Sequence, residues 1–275
     1  SLFLFGPRST GKSTLLRQSF PPEAIINLLR SQIYLSLAER PGSLRDMAIE
    51  IGRTSPVVVI DEIQKLPTLL DEVHDLIETT TLRFILTGSS ARKLRQGGVN
   101  LLAGRAWQTR LFPLSSAELP DFELNRYLLY GGLPQVWTSQ EPLEELDAYV
   151  NTYLKEEIKA EGLVQNLSHF ARFLKVAALA NAEQLNFANL SRDTGVPVTT
   201  VRAWFDILSD TFTGFLLEPW RESRKRKAVA TAKFYFFDVG VANHAAGFNQ
   251  FSRDSAEFGK AFEHFIAMEL RSWLD

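Results

Sequence analysis

The sequence predicts an α/β protein whose N-terminal part is a parallel sheet with helices on both faces, followed by smaller modules. Three observations carry this reading. Short apolar runs alternate with helical stretches through the first third of the chain. A glycine-bordered loop stands between the first apolar run and the first helix. Residues 57–60, all β-branched, have the composition of a strand buried on both faces, and they run straight into Asp61 and Glu62.

The elements follow in order. Residues 2–5 are a short apolar strand, and a helix runs from Lys12 to Ser19 until Pro21 and Pro22 stop it. Residues 24–29 and 33–37 read as strand pieces, and residues 44–51 as a helix. The strand at 57–60 is followed by a helix over 69–79 and a strand over 82–86. Near Leu114 the pattern turns helical and stays so to about Ala160, broken by Gly131, Gly132, Leu133 and Pro134. Three helices are predicted between Gln165 and Leu208, then strands over 212–217 and 233–237, then a last helix over 258–274. The predicted organisation is a core over 1–113, a helical linker over 114–164, a third module over 165–232 and a partial C-terminal α/β module over 233–275.

Composition narrows the functions. Of 275 residues, 45% are hydrophobic and 23% charged, which is the balance of a globular protein and not of a disordered one. A formal net charge of -2 gives no global attraction to nucleic acid, so any such surface must be local. The absence of cysteine excludes disulfides and thiolate metal sites and fits a reducing cytoplasm. His74, His169, His244 and His264 are scattered without metal-binding spacing. No apolar run is long enough for a membrane span, and no signal peptide is visible. The chain opens within a strand and stops within a helix, so both ends read as trimmed and missing targeting signals carry little weight.

The sharpest signal is Gly6, Pro7, Arg8, Ser9, Thr10, Gly11, Lys12, Ser13 and Thr14, which fits a phosphate-binding loop between strand and helix. A polyphosphate needs many converging donors. Gly6 and Gly11 let the backbone turn so that successive N–H groups point inward, and the helix adds its positive end. Lys12 can reach the β- and γ-phosphates of ATP, and the Ser13 hydroxyl can ligate magnesium. Asp61 closes a buried strand at its carboxyl end, where ligands of open α/β sheets sit, and would hold magnesium there, directly or through water. Glu62 is the candidate general base for an attacking water. On their own the two acids would also suit the start of a helix. After the strand at 82–86, Thr87 or Ser89 could bond the water or the γ-phosphate, although a Thr/Ser turn after a strand is common. One of Arg92, Arg105 and Arg110 could act as an arginine finger on a neighbouring copy. Arg105, in the run LAGR, is the best placed by sequence context, and a surface role is the alternative. Guanine-specific signals are absent, so ATP is favoured over GTP.

Residues 186–208 read as helix-turn-helix. Gly195 permits the turn, Val196 plugs it, and Val201, Phe205 and Leu208 recur at helical spacing toward a core. Thr199, Thr200 and Arg202 would then face outward toward a DNA groove. Two strands with a basic connection follow, the layout of a winged helix whose tip would be Arg224, Lys225, Arg226 and Lys227. Winged helices also mediate protein contacts alone, and charged turns are often only solvated.

The motifs GPRSTGKST, VVVIDEIQKLP, FILTGSSARKL, LLAGRAWQTRLFPLSSAEL, YGGLPQV, NTYLKEEI, NLSRDTGVPVTTV, KFYFFDVGVA and GKAFEHFIAMEL span nearly the whole chain. With them the chain resembles the prokaryotic AAA-type P-loop ATPases that join a nucleotide-binding domain to a winged helix and a C-terminal domain of unknown function. That resemblance implies magnesium-dependent ATP hydrolysis, and relatives often assemble into rings, so a homo-oligomer is among the implied partners. Some relatives have a nuclease-like C-terminal part, and Glu263 and Glu269 match its opening helix. The later carboxylate–lysine pair is absent here, so no nuclease activity follows. Pro197 stands where the turn often has a Ser cap, and Asp238 reads as a turn residue. The leading expectation is ATP turnover coupled to conformational change. The alternative is a nucleotide-gated DNA-binding regulator with little turnover.

Overall fold

A computed structural model describes residues 1–92, 94, 102, 104–154, 166–219 and 231–275. The chain forms two compact units, 1–111 and 112–275.

The first unit is built on five parallel strands: β1 (Leu2–Phe5), β2 (Ile25–Asn27), β3 (Val57–Asp61), β4 (Arg83–Gly88) and β5 (Trp107–Arg110). Their order is β2-β3-β4-β1-β5. Among the described residues the α-helices complete at both ends are α1 (Lys12–Ser19), α2 (Ser31–Glu39), α3 (Ser43–Gly52) and α4 (Leu69–Thr79), of which α2, α3 and α4 pack on β2, β3 and β4. Phe3, Phe5, Val58, Val59, Ile60, Phe84 and Leu86 are buried, as strands covered on both sides must be. This is an α/β fold of the P-loop NTPase type.

In this unit two points of secondary structure differ from the sequence reading. Residues 33–37 belong to α2 and form no strand. The apolar run there is too short for periodicity to separate strand from helix, and only Leu37 is buried. The strand β5 was not expected. Among the described strands it lies at the edge of the sheet and pairs only with β1, and it carries no buried residue, so its sequence lacks an apolar signature.

The register fixes the business end of the sheet. Leu4 lies beside Thr87 and Phe5 beside Gly88, while Asn27 lies beside Asp61. Because β4 runs between β1 and β3, the residues ending β4 stand between the glycine-rich loop after β1 and the acids ending β3.

The second unit contains α5 (Leu124–Tyr130), α6 (Pro134–Thr138), α7 (Pro142–Ala148) and a π-helical turn (Tyr149–Leu154). Then come α8 (Leu167–Leu179), α9 (Phe187–Thr194), α10 (Val198–Asp210), and the antiparallel strands β6 (Gly214–Leu217) and β7 (Lys233–Phe236). The helices α11 (Val239–Ala246) and α12 (Ala256–Leu274) complete it. Its core is aromatic: Phe205 meets Phe173 and Phe234 edge to face, and Trp204 meets Phe170 likewise. Asn166, Asn186, Asp238 and Ser255 cap α8, α9, α11 and α12 through their side chains, satisfying N–H groups that have no partner within the helix. The strand β7 pairs with β6, so the boundary expected at 232–233 falls inside a hairpin. Among the described residues no helix is long and apolar enough to cross a membrane.

Candidate functional site

The glycine-rich loop has the backbone its sequence requires. Gly6, Ser9 and Gly11 all have positive φ, at 153°, 64° and 95°. At Gly6 a Cβ would stand 2.5 Å from the Leu111 carbonyl oxygen, so no side chain fits. Gly11 ends the loop in the left-handed region, and α1 begins at Lys12 with no side-chain cap on its first N–H groups. Those groups and the positive end of the helix dipole are the physical basis of anion binding. Lys12 is buried, and its ammonium donates to the carbonyl oxygens of Gly6 and Pro7, both at 2.7 Å. Thr10 closes the turn by donating to the Pro7 carbonyl at 3.0 Å. Arg8, Ser9 and Thr14 are exposed.

Asp61 meets this loop directly. Ser13 Oγ donates to Asp61 Oδ2 at 3.1 Å, and Thr87 Oγ1 donates to Asp61 Oδ1 at 2.5 Å. The carboxylate therefore lies between a hydroxyl of the loop helix and one from the end of β4. Glu62 has φ 66°, ψ 44°, a left-handed conformation that costs a non-glycine residue roughly 1–2 kcal/mol. It is held there at both ends. Its N–H donates to Thr87 Oγ1 at 3.2 Å, and Gln64 donates to its carboxylate. Strain of this kind gathers at functional positions.

Lys12, Ser13, Asp61, Glu62 and Thr87 are thus brought together. Ser89 stands one step back, accepting from Gln64 at 3.2 Å. Arg105 lies elsewhere. It precedes β5, whose Trp107 pairs with Leu2, at the end of β1 away from the loop. There it forms an ion pair with Glu78 of its own chain, and that hydrogen bond lowers the Glu78 pKa. The residue of that strand at the loop end is Arg110, in register with Phe5.

In the second unit Gly195 turns the chain between α9 and α10 with φ 73°, and Val196 is buried beneath it. Pro197 caps α10 without any side-chain bond. Thr199 and Arg202 are exposed and Thr200 is half-buried. The Arg202 guanidinium lies 4.0 Å over the Phe187 ring. Arg224, Lys225, Arg226 and Lys227 lie outside the described residues. The two acids of the last helix have local partners. Glu263 accepts from Lys233 and Tyr235, each at 2.6 Å, and Glu269 accepts from the N–H and hydroxyl of Ser116 at 2.9 and 2.6 Å. Asp238 is a buried N-cap. Its Oδ1 accepts the Val241 N–H at 2.9 Å and its Oδ2 the Gly132 N–H at 2.8 Å. Burial pushes its carboxyl up to about 6, against the pull of those donors.

Sequence reasoning gave Gln64 no role, although it stands in the DEIQ run. Its partners are Glu62, two positions away, and Ser89, twenty-five positions away, so the local run alone does not show that the two are bridged.

Fold and site together define the first unit as an ATPase-type nucleotide-binding domain. Comparison with known proteins agrees with that class. Residues 1–120 match the family model described as "AAA domain", and residues 121–252 match one described as "Domain of unknown function (DUF8612)". The chain is also similar to a protein of Haemophilus influenzae described as "Uncharacterized protein", at 25% identity over 232 residues. That similarity covers 77% of this chain and 56% of the relative, so the chain spans little more than half of the relative's length.

Proposed function

We propose that the protein binds ATP with magnesium and hydrolyses it, coupling turnover to a change in conformation. The observation that best supports this is the convergence of the Ser13 and Thr87 hydroxyls on Asp61, beside a loop whose lysine is buried. The amides of residues 6–14 would cradle the polyphosphate, and Lys12 would bind its β- and γ-oxygens. Ser13 and Asp61 supply adjacent hard oxygen donors, the chemistry magnesium prefers, and would hold it. Bound there, the ion would offset the charge of the phosphate oxygens. Glu62 would orient a water and accept its proton, with Thr87 fixing the backbone that carries it.

Glu62→Gln separates the readings. It is expected to keep MgATP bound while turnover falls by about 10²- to 10⁴-fold, and Lys12→Ala is expected to lose nucleotide. Unchanged turnover in Glu62→Gln would remove the hydrolytic assignment. A wild-type chain that binds MgATP calorimetrically but turns over none supports the nucleotide-gated switch instead.

The second part of the proposal is DNA contact. The succession α8, α9, α10 and the β6–β7 hairpin follows the layout of a winged helix, and Gln184 forms a bridge to Lys233 beside that hairpin. Thr199, Thr200 and Arg202 would approach a groove, and Arg224, Lys225, Arg226 and Lys227, between the two strands, would meet phosphates. Reversing those four charges is expected to abolish salt-sensitive DNA binding. Wild-type protein with no DNA affinity at low salt ends this part. The proposal includes a cytoplasmic location and assembly into a homo-oligomer, in which Arg105 would reach a neighbour's nucleotide.

A further inference from the structure

We propose that Gln64 is a positioning residue for Glu62: its amide nitrogen bridges the Glu62 carboxylate and the Ser89 hydroxyl, and so ties the aim of the carboxylate to the end of β4. The inference rests on the reading of Glu62 as the general base.

Gln64 is buried in the short turn Ile63–Lys65 that follows Glu62. Its Nε2 donates to Glu62 Oε2 and, at 3.2 Å, to Ser89 Oγ. The chemistry fixes which way the amide faces. A carboxylate oxygen only accepts, so the nitrogen must face it; reversed, two acceptors would meet with no proton between them. Oε1 is then turned toward Gly88, only 2.6 Å from where a Cβ would stand. Glycine at the end of β4 is what leaves room for the amide.

Glu62 is therefore secured twice from one strand end. Thr87 takes its backbone N–H directly, and Ser89 reaches its carboxylate through Gln64. A general base misplaced by an ångström loses on the order of 10²-fold in rate, so holding the carboxylate as well as the backbone matters. Displacement of Ser89 would be transmitted to Glu62 by the same two hydrogen bonds.

The test uses the whole chain and three variants. Gln64→Met keeps the length and volume of the side chain but removes both donors. Ser89→Ala removes the far anchor, and Glu62→Gln tests the base itself. MgATP affinity is measured by calorimetry, and kcat and KM by steady-state turnover. In Gln64→Met, kcat is expected to fall about 10- to 100-fold with affinity and KM unchanged, and Ser89→Ala should show a smaller fall of the same kind. A filling role would be rescued by methionine, so wild-type kcat in Gln64→Met overturns the proposal. Parallel losses of kcat and affinity overturn it too, since they mean the whole site has moved. Should Gln64→Met not fold, wild-type kcat in Ser89→Ala overturns it. Glu62→Gln distinguishes the levels. If it is inactive while Gln64→Met is normal, only the bridge fails. If it turns over normally, the base assignment fails and the bridge goes with it.

Discussion

Thr87 and Asp61 are joined across β4 and β3 by a 2.5 Å hydrogen bond, and the same Thr87 oxygen accepts the Glu62 N–H. One hydroxyl thus satisfies a buried carboxylate and a strained backbone together. Thr87 is fully buried and Asp61 almost so, and water is a poor substitute for either bond. Thr87→Val has nearly the same shape and removes only the hydroxyl. Leaving a buried polar group without its partner costs about 1–3 kcal/mol, and two groups are affected here. Thr87→Ser keeps the hydroxyl and loses a methyl, worth about 0.8 kcal/mol. Denaturant unfolding of both variants checks the ranking, and equal stability would show that the bridge contributes little.

Two glycines of the second unit predict opposite outcomes for the same substitution. Gly240 sits in α11 against the Tyr130–Gly131 backbone, and a Cβ there would lie 2.1 Å from the Tyr130 carbonyl carbon and oxygen. Backbone cannot yield as a side-chain tip can, so Gly240→Ala is expected to destabilise this unit by about 3 kcal/mol or more. Gly259 lies in α12 with nothing among the described residues within 4 Å of a Cβ. Gly259→Ala is expected to stabilise by about 0.5–1 kcal/mol through helix propensity alone. Melting curves of the two variants displaced in the same direction would contradict the packing described.

What the sequence disclosed follows from which interactions are local. The phosphate loop and β3 are legible because glycine spacing and a β-branched run are local consequences of the backbone they must adopt. Residues 107–110 are not, since an edge strand of exposed residues needs no apolar pattern. The helix α11 is not legible because it is buried nearly all round, which erases the 3.6-residue period. From the sequence Asp238 reads as a turn residue, and its cap of α11 uses the same side-chain-to-backbone bond that makes Asp favour turns. Thr87 could be found as the end of a strand beside the acids. Gln64 could not, because its meaning comes from Ser89, twenty-five positions away.

Arg105 offers a test of assembly. Its own loop lies at the other end of β1, so any effect on nucleotide must fall on a second copy. The pair it makes with Glu78 is substantially exposed, at 39% and 49%, and surface pairs of this kind hold little stability. Loss of that pair should by itself shift the melting of Arg105→Ala little. Its turnover should match the parent at high dilution and fall below it as concentration drives association, by about 10³-fold if it acts as a finger. Identical turnover across the whole concentration range would exclude action in trans.

The second unit contains two buried groups whose proton linkages oppose each other. His264 receives Asn181 Nδ2 at Nδ1, 3.1 Å away, and its Nε2 donates to the Phe236 carbonyl at 2.7 Å. Asn181 in turn accepts the Phe236 N–H at 2.9 Å, so the neutral ring has a partner at each nitrogen. Burial lowers the His264 pKa from 6.5 to about 4. Its stabilising contribution is present above pH 6.5 and is lost as pH falls through about 4. Asp238, raised from 3.8 to about 6, behaves conversely: its contribution is present below 3.8 and is lost as pH rises through about 6. Each shift corresponds to roughly 3 kcal/mol, so over pH 4–6 the two largely cancel in the intact protein. Removing either exposes the other. Asp238→Asn should lose stability steeply on acidification below pH 6.5, and His264→Gln should gain it between pH 6 and 4. Denaturant unfolding of the three proteins at half-unit steps of pH reads these slopes, and parallel profiles would mean that neither group carries the linkage assigned to it.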